Sequence, residues 1–165
     1  MDKDFGKRTL SSHRDHRMTR EGKQCFGEIV KLFKPEWITN GIDSETIDFL
    51  QKAGDYMAPM KKEDKEALTN SQIRNVYGEL KRIQMKGFEK SQSEFLLLRP
   101  KVAYAAKRKS DKETETGMEL FKNIFDRAYD AVVGVTDNDQ KVIAFKNFCS
   151  IMEGLIAYHK YYGGK

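Results

Sequence analysis

Apolar residues recur at steps of three and four along most of this chain, and no segment alternates residue by residue with β-branched side chains. That spacing gives each segment one apolar stripe on a helix, and such stripes leave water only by packing against one another. With three prolines to interrupt it, the chain is expected to be all-α, a compact bundle of about five to six helices.

Phe26, Ile29, Val30 and Phe33 define a first helix that Pro35 closes, because the residue before a proline is pushed out of helical geometry. Asp43 or Ser44 then caps a helix with Ile47, Leu50, Gly54 and Met57 inward, ending near Pro59. Thr69, Asn70 or Ser71 caps the clearest amphipathic element, which carries Ile73, Val76, Tyr77, Leu80 and Ile83 in one stripe. Over residues 94–109, Phe95, Leu98, Val102, Ala105 and Ala106 share a side, and Pro100 is expected to kink or break the helix near Leu97. Met118, Phe121, Ile124, Phe125, Ala128, Val132 and Val135 form the next stripe, closed by Gly134 and the turn Asp137-Asn138-Asp139. Val142, Phe145, Cys149, Met152 and Ile156 face inward on the last helix, which Gly163-Gly164 ends.

A length of 165 residues suits one domain. It is expected over residues 23–165, behind a flexible polar arm at 1–22 that carries Lys3, Lys7, Arg8, Arg14, Arg17 and Arg20. Residues 61–67 and 110–116 read as charged connectors. No run approaches the ~20 apolar residues of a membrane span, and the N-terminal stretch lacks the apolar centre of a signal peptide, so a soluble, cytoplasmic protein without membrane contact is expected.

Residues able to carry catalysis are few. Cys25 and Cys149 stand far apart with no companion at metal-ligand spacing and read as buried free thiols. His13 and His16 lie in the arm without further ligands, and His159 reads as a partly exposed histidine at a helix C-terminus, where a cation is stabilised. A phosphate or ribose contact by His159 is the functional alternative, and the basis of a remote enzymatic one. No glycine-rich phosphate cradle precedes a helix, and Asp137 and Asp139 suit a turn. No enzyme, cofactor or metal is expected.

The net charge of +5 points to an acidic partner, and its distribution points further. On the helix after Thr69, Arg74, Lys81 and Arg82 share the side opposite the apolar stripe, with Gly78 and Met85 between them and Glu79 turned off it. Glu79 is therefore expected not to neutralise that side. On the following helix Lys101, Tyr104 and Arg108 lie opposite Phe95, with Lys107 beside them. Two basic faces with an aromatic ring suit a polynucleotide held by its backbone without readout of sequence. The alternatives are ordinary solvated helix faces, or a protein-interaction module that meets acidic subunits without touching nucleic acid.

Three strings carry a resemblance: LTNSQIRNVYGELKRI at 68–83, FLLLRPKVAYAAKR at 95–108 and FKNFCSIMEGLIAYHKYYGGK at 145–165. In this order they resemble the small, all-helical subunit of type III-A CRISPR effector complexes, a likeness that extends back to about Pro35. The resemblance implies a non-nuclease bundle of antiviral defence that stacks in several copies opposite the backbone subunits. It implies a role in bracing guide RNA and single-stranded target RNA while backbone subunits cut the target and the large subunit answers with other activities. By position it implies RNA contacts at Arg74, Arg99, Lys101 and Arg108; Tyr104 either stacks on a base or packs against a neighbouring copy. Residues before Pro35, Lys107, Lys109 and the connector at 110–116 depart from the family pattern. The expected interface is thus Arg74, Lys81, Arg82, Arg99, Lys101, Tyr104, Lys107 and Arg108.

Overall fold

The computed structural model describes residues 20–58, 69–108 and 117–163; the side chains of 20–25 and of Arg108 lie outside what it describes. Among these residues there are seven α-helices and no strand: α1 Arg20–Leu32, α2 Glu36–Thr39, α3 Ser44–Met57, α4 Asn70–Lys86, α5 Gln92–Arg108, α6 Gly117–Val133 and α7 Asn138–Tyr161. A 3₁₀ turn, Phe88–Lys90, joins α4 to α5. The all-α expectation holds, with one more element than the apolar spacing reveals. Pro35 does end α1, but its fixed φ of -55° also suits a helix start, and the four residues of α2 follow it with Trp37 and Ile38 buried. Helix α1 begins inside the segment expected to be an arm, where Arg20, Glu21, Lys23 and Gln24 are all good helix formers. The rest of that arm, with His13 and His16, and both charged connectors lie outside the described residues, as does the side chain of Cys25.

Helix starts follow the sequence closely. Asp43 accepts from the Thr46 amide at 3.0 Å while Thr46 Oγ1 accepts from the Asp43 amide at 3.1 Å, a reciprocal cap that satisfies donors the first turn leaves free. Thr69 and Gln72 repeat it at the start of α4, the Thr69 amide donating to Gln72 Oε1 at 2.9 Å. Gly87, at φ 99°, ends α4 in a conformation that a side chain would strain.

Helix α7 is the centre of the bundle and touches α2, α3, α4 and α6. Its closest approach is to α3, where two glycines remove side chains: Leu50 of α3 lies over Gly154, and Tyr158 of α7 lies over Gly54. A second centre is aromatic. Phe95 stacks on Tyr129 at 5.0 Å and meets Phe88, Phe145 and Phe148 edge-on. Phe33, Trp37 and Phe49 form a separate aromatic group that fixes α1 and α2 to α3.

One expectation fails here, and at Pro100 one of the two expected outcomes, the break, does not occur. Ile47 is exposed rather than inward, because the rings of Phe49 and Tyr56 and the capping Thr46 draw the buried arc of α3 away from it. Pro100 does not break α5, which runs through it from Gln92 to Arg108. Its missing amide is offset from another helix, since Tyr129 of α6 donates its hydroxyl to the Leu96 carbonyl.

Candidate nucleic-acid interface

Helices α4 and α5 run back along one another, tied at one end by Lys86 and Glu94 at 2.6 Å. The buried stripe of α4 (Ile73, Val76, Leu80, Ile83) leaves Arg74, Gly78, Arg82 and Met85 outward. Met85 is 88% exposed, and a Cβ added at Gly78 would meet nothing within 4 Å, so the backbone there is bare between two arginines. On α5, Lys101, Lys107 and Tyr104 point out, the tyrosine 68% exposed. Arg108 belongs to α5 by its backbone, and its side chain lies outside the described set.

Glu79 corrects the sequence reading. Its carboxylate meets Arg82 at 3.5 Å one turn along α4 and Lys101 at 3.6 Å across the gap to α5. Glu79 lies on the side of α4 that the neighbouring helix covers, so a residue turned off one helix's basic stripe becomes the link between two of them. A single carboxylate shared by two cations still leaves one positive charge in excess.

The remaining cations point elsewhere. Lys81 reaches Glu153 of α7 at 2.6 Å and lies over the Tyr77 ring at 5.2 Å; the Glu153 carboxylate, then Tyr77, hold its ammonium above the ordinary lysine range. Arg99 turns toward α6, meeting Asp130 at 2.6 Å and Asp126 at 3.7 Å and stacking over Tyr129. The structure therefore brings Arg82 and Lys101 together, keeps Arg74 on the same outer side of α4, and sends Lys81 and Arg99 to opposite flanks.

Two grooves border this face. One of about 580 Å³ lies between α4 and α5 and is lined by Gln72, Asn75, Val76, Glu79, Lys101 and Tyr104, among others. The other, about 330 Å³ between α4 and α7, brings Arg74 beside Asn70, Tyr77, Lys160 and the carboxylate of Glu153. Lys160 was missed as a site residue; its signal was a basic side chain in the last turn of α7, whose neighbour on α4 no single-helix reading can supply. Among the described residues neither Arg74, Lys107 nor Lys160 has a carboxylate partner.

His159 is fully buried, not partly exposed. Gly54 lets the last turns of α7 close onto α3, so the helix end that looked terminal in sequence is covered by a neighbour, and the ring is withdrawn from any phosphate or ribose outside. Cys149 is buried as expected, and desolvation pushes its thiol up to about 12. Among the described residues no group of three histidine, cysteine or acidic side chains could hold a metal ion, and no helix is long and apolar enough to cross a membrane.

A family model described as Csm2 Type III-A matches residues 44–165, more than half of the chain. No curated protein and no solved structure matches it.

Proposed function

The chain belongs to the Csm2 family, the small subunit of type III-A CRISPR Csm complexes, and we propose that it serves there as a non-catalytic scaffold that holds guide RNA and single-stranded target RNA by their backbones. The observation that carries the reading is the charge balance of the α4–α5 face. Arg82, Lys101 and Lys107 are exposed there, with Arg74 at the α7 edge of α4, and among the described residues Glu79 is the one carboxylate paired with any of these four cations.

Phosphates compete well for such a surface. Exposed ion pairs are worth about 0–1 kcal/mol, whereas phosphate contact releases condensed counterions along the strand. Lys81 and Arg99, each already matched by carboxylates, contribute less than Arg74, Arg82 and Lys101. Lys107 extends the positive strip, Arg108 follows it along the α5 backbone, and Tyr104 offers a ring for stacking. Other copies of the chain, with the backbone and large subunits, complete the RNA channel of a cytoplasmic antiviral complex.

Affinity for single-stranded RNA measured across rising salt tests this reading. Binding is expected to weaken steeply, and the double substitution Arg74→Glu, Lys101→Glu is expected to lower affinity alike for unrelated sequences with the helical circular-dichroism signal unchanged. A flat salt response, or a loss confined to some sequences, counts against backbone contact.

A second reading has its own support: Met85 and Leu97, the latter 56% exposed, place apolar surface beside the same cations, as a contact with acidic subunits would use. Crosslinking within the assembled complex separates the two, since RNA adducts on α4 and α5 favour the first and adducts to protein alone favour the second.

A further inference from the structure

We propose that the groove between α4 and α5 is a nucleobase pocket, taking the base of one nucleotide in a single RNA strand whose phosphates the neighbouring cations hold. It rests on the RNA-binding reading above and adds to it a site that phosphate contact does not require.

The chemistry of the lining supports a base. Val76, Leu98 and Ala105 form an apolar floor suited to an uncharged ring, and about 580 Å³ accommodates a base with its ribose. Amides of Gln72 and Asn75 stand along the groove, able to pair with the carbonyl and ring-nitrogen edges of a base. Tyr104 lines it as a stacking surface, and Lys101 lines it as the cation for the attached phosphate.

Gln72 supplies the independent sign that a ligand belongs here. It is only 9% exposed, and its Oε1 is committed to the Thr69 amide and hydroxyl in the helix cap. Its Nε2 is buried and has no hydrogen-bond partner among the described residues. A buried amide donor without an acceptor is costly, and a turn of the Gln72 amide that opens Nε2 to the groove would give it a base carbonyl as acceptor.

The test compares binding of the full chain to a labelled oligoadenylate and to an abasic ribose-phosphate oligomer of equal length and charge. The base-bearing strand is expected to bind about tenfold more tightly. Gln72→Glu keeps the cap acceptor and removes the donor; Ala105→Phe fills the floor without changing charge. Each is expected to collapse the ratio toward unity, with folding checked by circular dichroism and thermal melting. Equal wild-type affinity for the two oligomers overturns the pocket and leaves the charge reading standing, as does a ratio that survives both substitutions. No binding of either oligomer at low salt overturns both readings. Loss of the ratio on adding adenosine monophosphate at a concentration comparable to the strand reassigns the groove to free nucleotide and overturns the strand-borne proposal.

Discussion

The Tyr129 hydroxyl donates to the Leu96 carbonyl oxygen at 3.2 Å, the acceptor that Pro100 leaves without its helical amide. The ring that carries this hydroxyl is stacked on Phe95 and lies under the Arg99 guanidinium. A proline inside a helix costs about 3 kcal/mol through the lost hydrogen bond and its clash with the preceding turn. Here a donor from α6 restores part of that loss, and the helix that carries Lys101, Tyr104 and Lys107 stays continuous.

Tyr129→Phe is expected to lower stability by about 1 kcal/mol, the usual effect of removing one such bond. In a Pro100→Ala background the amide at position 100 can itself reach Leu96, so the same substitution is expected to cost less. Denaturant melts of the four chains would show this coupling; strict additivity would mean that the hydroxyl does not stand in for the amide.

Two glycines in helices should respond oppositely to alanine. At Gly54 the new Cβ would fall 2.4 Å from Tyr158 Cβ and 2.9 Å from its carbonyl carbon, so the α3–α7 contact must open, a loss of about 1–3 kcal/mol. At Gly78 the Cβ meets nothing within 4 Å, and Gly78→Ala is expected to stabilise α4 by about 0.5–1 kcal/mol. Thermal denaturation of each variant reads the sign directly.

Glu79→Gln releases Arg82 and Lys101 together. Under the RNA-binding reading it is expected to raise affinity severalfold and steepen the salt dependence, with little change in stability because exposed pairs contribute about 0–1 kcal/mol. Unchanged or weaker RNA binding by a folded Glu79→Gln chain would argue that these cations do not face phosphate.

Cys149 links folding to alkaline pH. Burial raises its thiol from the ordinary 9.0 to about 12, so the unfolded chain deprotonates first and gains on the folded one as pH climbs between these values. Stability from this group is complete below about pH 9 and lost toward pH 12. In a Cys25→Ser chain, alkylation at pH 8 is expected only under denaturing conditions; rapid labelling of the native protein would contradict the burial.

Residues 26–43, outside the family match, are built into the core through Ile29, Phe33, Trp37 and Ile38. Arg127 of α6 donates to the Val30 and Phe33 carbonyls and lies over the Phe33 ring, while Asn147 of α7 donates to Ile38 at 2.8 Å. Arg127→Met is expected to cost about 1.5–3 kcal/mol, the value of a charged donor, seen as a lower unfolding midpoint.

What sequence determined and what tertiary structure decided divide by the range of the forces involved. Period, caps and glycine stops act within a few residues, so the inward faces of α4 to α7 were legible from the chain alone, as were the caps of α3 at Asp43 or Ser44 and of α4 at Thr69, Asn70 or Ser71, while Asp137, read as a turn residue, caps α7. The three strings at 68–83, 95–108 and 145–165 likewise sufficed for the family. Partners for charge and for orphaned carbonyls come from helices far away in sequence: Glu153 for Lys81, Asp126 and Asp130 for Arg99, Tyr129 for Leu96. Whether a basic face is open to phosphate, or a terminal histidine covered, depends on which helix lies beside it, and only packing of the whole bundle sets that.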